Sequence, residues 1–128
     1  MKHRILLAED DLLLGPVIEE MLRDGGYDVV LARDLIDVIR LNDFAFTGVI
    51  SDYKLLHSDG CDVIDFMRSK VPGIPALLIS GYGLRVADVC AEHGIKDVGF
   101  MAKPFTPTQL VEKVAAMFAT PVSANPFS

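Results

Sequence analysis

Six residue positions with the chemistry to handle a charged ligand stand at or just past the ends of short apolar runs. Glu9, Asp10 and Asp11 follow residues 5–8, Asp52 follows 49–51, Ser80 closes 76–80, and Lys103, with Pro104 after it, follows 99–102. If these runs are neighbouring strands, three or more carboxylates, a hydroxyl and an ammonium share one edge. Carboxylates brought together repel and resist ionisation unless a cation compensates. With oxygen ligands only and no histidine near them in sequence, the expected cation is a hard one. Mg²⁺ fits, since it takes one or two carboxylates and keeps waters for a phosphoryl group. Fixed cations and hydrogen-bond donors are what stabilise a phosphoryl group in transfer. In that chemistry Asp52 is the nucleophile, Glu9 and Asp10 hold Mg²⁺, Lys103 meets the developing charge and Ser80 donates to a phosphoryl oxygen.

The elements that must position these groups can be read from the pattern. Strands are expected at 5–8, 29–32, 49–51, 76–80 and 99–102, each short, rich in Val, Ile, Leu or Phe and bounded by charged or turn residues. Between them, Leu13, Leu14, Val17, Ile18, Met21 and Leu22 recur at helical spacing and stop at Gly25-Gly26. Pro16 complicates that helix, because proline is tolerated only in a first turn. A second helix is expected over 35–39 with Asp34 as its N-cap, a third around 63–67 and a short fourth around Val86, Val89 and Cys90. Thr106-Pro107-Thr108-Gln109 reads as a capping box with proline at the first helical position, opening a fifth helix that ends near Phe118. The segment 120–128 carries two prolines and no apolar period, and is expected to be a flexible tail or linker. Alternating strands and helices imply an α/β, doubly wound parallel sheet with helices on both faces. Ligands in such folds gather at the carboxyl ends of the strands.

Composition narrows the classes. The chain of 128 residues is 51% hydrophobic and 23% charged, about one domain in length. It has no apolar run long enough to span a membrane and no secretory leader, so a cytoplasmic protein is expected. A net charge of −6 with 12 scattered basic residues argues against a direct nucleic-acid face. Cys61 and Cys90 lack metal-ligand or CxxC spacing and are expected to be reduced, buried thiols.

From ILLAEDD through SDYKLLHSDG and LLISG to KPF, the sequence resembles the receiver domain of two-component response regulators, over residues 1–119. The resemblance implies a flavodoxin-like sheet of order 2-1-3-4-5. It implies that a histidine kinase or histidine phosphotransfer protein phosphorylates Asp52, with Mg²⁺ held by Asp10, Asp52 and the backbone carbonyl of Lys54 and with Glu9 acting through water. Such a protein assists its own phosphorylation and dephosphorylation but is not an enzyme. A cis bond before Pro104 is also implied. Phosphorylation is expected to switch partner binding through Ser80 and Phe100, across the face made by the fourth and fifth helices and the fifth strand.

The sequence departs from the family pattern in three places. Leu56 stands where the family usually has proline, although Gly60 keeps its place, so the loop after Asp52 is expected to be more mobile. Lys54 and Tyr82 hold the two positions that flank the phosphoryl group, and are expected to shield it from water. Phe100 replaces the more familiar tyrosine and has no hydroxyl to bond at either end of a switch. Other readings compete: the C-terminal receiver of a hybrid sensor kinase, a phosphate-independent pseudo-receiver, or an Mg²⁺-dependent aspartyl phosphatase. The phosphatase would need a second aspartate two residues past the nucleophile, where Lys54 stands.

Overall fold

The structure is a computed structural model that describes residues 2–81 and 86–119, with the side chains of 86 and 87 excepted. Five strands and five helices alternate: β1 Arg4–Ala8, α1 Leu14–Asp24, β2 Asp28–Ala32, α2 Leu35–Ile39, β3 Gly48–Asp52, α3 Gly60–Lys70, β4 Ala76–Ser80, α4 Val86–Glu92, β5 Val98–Ala102 and α5 Pro107–Ala119. All strands pair in parallel in the order β2-β1-β3-β4-β5, as expected.

Successive strand residues face opposite sides, so each strand supplies both faces of the core. Ile5, Leu7, Ile50, Leu77 and Ile79 point toward α1 and α5, where Ile18, Leu22, Leu110 and Val114 close over them. Leu6, Val49, Ala76 and Leu78 point the other way, under Val63, Ile64 and Met67 of α3 and Cys90 of α4. Burying each large aliphatic side chain stabilises the fold by roughly 1.5–3 kcal/mol. That two-sided demand is why the strands read as continuous apolar runs.

The helix boundaries follow local chemistry. Pro16 lies in the first turn of α1, where no intrahelical donor is needed, so the helix begins at Leu14 despite it. Asp11 Oδ1 accepts from the Leu13 and Leu14 amides at 2.8 and 2.9 Å. α3 begins three residues before Val63, because Asp59 and Asp62 form a reciprocal capping box ahead of the apolar run. The box opening α5 is as expected: Gln109 N donates to Thr106 Oγ1 at 3.1 Å, and Thr106 N donates to Gln109 Oε1 at 2.8 Å. Segment 120–128 lies outside the described residues.

Candidate functional site

The strand order places the site. The chain winds from β1 outward to β2, then returns past β1 to β3, leaving a crevice between β1 and β3 at their carboxyl ends. Ala8 pairs with Ser51 in register, so Glu9 and Asp52 emerge side by side. On the other flank Asp52 pairs with Ile79 and Ser80 with Ala102, which sets Ser80 and Lys103 along the same edge.

Backbone contacts hold Asp52 in place. Its carbonyl accepts from Ser51 Oγ at 2.9 Å, the Tyr53 amide donates to Ile79 O at 2.7 Å, and Gly60 N donates to Tyr53 O at 2.7 Å. A Cβ on Gly60 would sit 2.3 Å from Leu78 Cδ2 and 2.7 Å from the Asp52 carbonyl oxygen. Only glycine lets the start of α3 pack this closely under the acceptor strand. Leu56 is exposed, yet the loop around it is tied down by other means. Lys54 and Asp59 form an antiparallel bridge, Leu55 N donates to Ser58 O at 3.1 Å, and Ser58 Oγ donates to the buried carboxylate of Asp34. Asp34 also caps α2 through the Leu35 amide at 2.7 Å, so one side chain joins the two loops.

Lys103 reaches back from β5 across the edge. Its Nζ lies 3.1 Å from Asp52 Oδ1 and 3.1 Å from Glu9 Oε1. Glu9 is 2% exposed, and the side chains of Asp52 and Lys103 are 12% and 24% exposed. Carboxylate oxygens of Glu9, Asp10 and Asp52 lie within 4.8 Å of one another. Burial pushes the Asp52 carboxyl above its ordinary value, and the Asp10 charge adds to this against the pull of Lys103. Burial raises Glu9 too, reinforced by Asp52. Burial by itself would lower the Lys103 ammonium, but the Asp52 and Glu9 carboxylates outweigh it and hold the ammonium above its usual range. Among the described residues Lys103 thus pairs with two of three clustered carboxylates, a donor set that suits a further hard cation with oxygen ligands.

The peptide bond between Lys103 and Pro104 is cis. Ser80 is buried at the end of β4, and its carbonyl accepts from the Lys103 amide at 2.9 Å. Phe100 is partly buried on the face that β5 shares with α3 and α4. Tyr82 lies outside the described residues. Asp11, grouped by sequence with Glu9 and Asp10, caps α1, and those two hydrogen bonds hold its carboxyl below the usual range. Asp34 caps α2 as expected, whereas its contact with Ser58 and the close packing at Gly60 escaped the sequence reading. Gly60 was marked by its place eight residues after Asp52, whereas the Ser58 to Asp34 contact bridges 24 positions and left no signal. The thiols of Cys61 and Cys90, 29 positions apart, lie 3.6 Å from each other, buried and unoxidised.

The response regulator receiver domain matches residues 5–115 of this chain. The chain belongs to that family. The receiver is 32% identical over 119 residues to the response regulator protein FleR of Pseudomonas aeruginosa, covering 90% of this chain and 24% of that one. It is 28% identical over 117 residues to a probable transcriptional regulator of Porphyra purpurea, covering 89% of this chain and 56% of that one. The receiver therefore spans about half, or less, of the length of these curated relatives. Among solved structures, a response regulator receiver protein from Sinorhizobium medicae superposes with a TM-score of 0.76 at 30% identity, covering 91% of this chain and 94% of that one. The receiver has the flavodoxin-like fold of two-component systems, and among its described residues no helix is long and apolar enough to cross a membrane.

Proposed function

We propose that this receiver accepts a phosphoryl group on Asp52 from a histidine kinase or histidine phosphotransfer protein in the cytoplasm, and that the modification changes its affinity for a downstream protein. The observation that carries the reading is Lys103 Nζ at 3.1 Å from both Asp52 and Glu9, beside three carboxylates that share one edge. Asp10, Asp52 and the Lys54 carbonyl, with Glu9 behind them, are the groups that would hold Mg²⁺. When bound, that ion supplies positive charge that ionises Asp52 and offsets charge on the incoming phosphoryl oxygens.

The chain's own groups do the rest. Asp52 Oδ attacks phosphorus as the kinase histidine nitrogen leaves. Lys103, held beside Asp52, turns its ammonium to a phosphoryl oxygen and stabilises the charge there. Ser80 donates its hydroxyl to a second oxygen. Drawing Ser80 toward Asp52 opens room for Phe100 to move inward, which alters the face made by α4, β5 and α5. A few kcal/mol between the two states changes partner affinity by factors of tens to thousands. The acceptor is the protein itself, and Lys54 stands where a phosphatase would carry its acid/base, which disfavours rapid turnover.

Intact mass after incubation with Mg²⁺ and acetyl phosphate tests the reading. Wild type should gain one phosphoryl group, and Asp52→Asn and a sample with EDTA should gain none. No gain in wild type under any condition, including with a histidine kinase, would favour a phosphate-independent receiver.

A further inference from the structure

At the opposite end of the sheet from Asp52, the amino-terminal edges of β4 and β5 floor a cavity of about 770 Å³, within the size range of small-molecule sites. α3, the turn before β4, the loop before β5 and α5 wall it. The charge there runs against that of the molecule as a whole. In a chain of net charge −6, the lining carries Arg68, Lys96 and Lys113 against the single carboxylate of Asp97.

Arg68 is the built element of this cavity. Its Nε donates to Ile74 O at 3.2 Å and its Nη2 to Asp97 O at 2.9 Å, while Nη1 donates to the Lys96 carbonyl. The guanidinium is thereby fixed in orientation, with two of its five N–H donors unpartnered among the described residues. No carboxylate pairs with it among the described residues, and burial lowers its affinity for its proton. Lys96 and Lys113, both exposed, likewise make no ion pair among the described residues. Asp97, between Lys96 and β5, has φ 55°, a left-handed conformation unusual outside glycine, and its carbonyl is one of the Arg68 acceptors. Val98 and Met117 supply apolar side chains to the lining, while Leu77 behind them is fully buried against α1 and α5. At Gly99 a Cβ would stand 3.2 Å from the buried Leu77 Cδ1, tighter than ordinary van der Waals contact.

We infer that this cavity binds a small organic oxyanion, a phosphate or carboxylate, with Arg68, Lys96 and Lys113 on the anionic group and Val98 and Met117 beside its apolar part. A planar guanidinium held by carbonyls matches either oxyanion. The site lies at the far end of the sheet from Asp52 and shares no residue with it.

The test is an amide NMR titration of the full chain, in EDTA, with AMP, benzoate and adenosine. AMP or benzoate should shift the Gly73, Gly94 and Gly99 amides saturably at millimolar concentration, and neutral adenosine should not. A response to AMP alone assigns a phosphate head, to benzoate alone a carboxylate head, and to both a general oxyanion site. The double variant Lys96→Glu/Lys113→Glu, changed only at exposed side chains, should weaken binding at least tenfold, whereas Asp52→Asn should leave it unchanged. Absence of shifts with both anions, adenosine binding as well as AMP, or full affinity after the charge reversals would overturn the inference.

Discussion

Replacing Asp52 with asparagine should make the metal-free receiver more stable. Carboxylate oxygens of Glu9 and Asp10 lie within 4.8 Å of Asp52, and at an effective dielectric near 20 each such pair repels by about 3.5 kcal/mol or more. The Lys103 ammonium, 3.1 Å away, returns about 5 kcal/mol of attraction on the same scale. Two repulsions therefore exceed one attraction by about 2 kcal/mol, and burial of the Asp52 charge adds to the penalty. Allowing for an imperfectly bonded amide, the expected gain is about 1–2 kcal/mol, a rise in Tm of roughly 3–8 °C for a chain of this size. The pH dependence has a fixed sign. Because the Asp52 carboxyl is raised, its penalty is fully present above its folded value and fades as pH falls through it, so the gap should narrow on acidification. Mg²⁺ should act oppositely on the pair, since at a hundred times its Kd it adds about 2.7 kcal/mol to wild type. Denaturant melts of both proteins, in EDTA and in Mg²⁺ at neutral and mildly acidic pH, read all of this. An Asp52→Asn protein no more stable than wild type in EDTA at neutral pH would refute the reasoning.

Gly60→Ala should destabilise the receiver by about 1–3 kcal/mol through overpacking and slow labelling by acetyl phosphate, because the new Cβ meets the Asp52 carbonyl at 2.7 Å; melts and labelling time courses check both. Thr106→Ala should remove the cap of α5 at a cost of about 1 kcal/mol in melts while leaving the labelling rate as it was. Burial pushes the thiols of Cys61 and Cys90 up, so a disulfide reagent such as Ellman's should find neither in the native protein and both in denaturant; rapid reaction of the native protein would contradict their placement.

The five strands, the five helices and the edge that gathers Glu9, Asp10, Asp52, Ser80 and Lys103 were legible in the sequence, while the sheet order came from the family resemblance alone. Doubly buried strands and capped helices leave periodic signals, and the strand ends mark the crevice. The residues that were not legible act across distance in the chain. Asp34 meets Ser58 and Cys61 meets Cys90 only because α2, α3 and α4 pack on one face, a fact that spacing does not encode. Asp11 stands next to Glu9 and Asp10 in the sequence but was given no ligand role, and in the structure its carboxylate accepts from the first amides of α1. Leu56 in place of proline suggested a looser loop, but the ties that hold it run through Asp34 and Asp59, outside the position that drew attention.

The central claim is that Asp52, and no other carboxylate, carries the phosphoryl group. Reductive trapping of the phosphorylated receiver with borohydride, followed by peptide mass mapping, tests it most directly. An acyl phosphate at Asp52 predicts conversion of residue 52 alone to homoserine, dependent on both phosphodonor and Mg²⁺. Conversion at Asp10 or Glu9, or none at residue 52 in a sample that has gained a phosphoryl group, would contradict it.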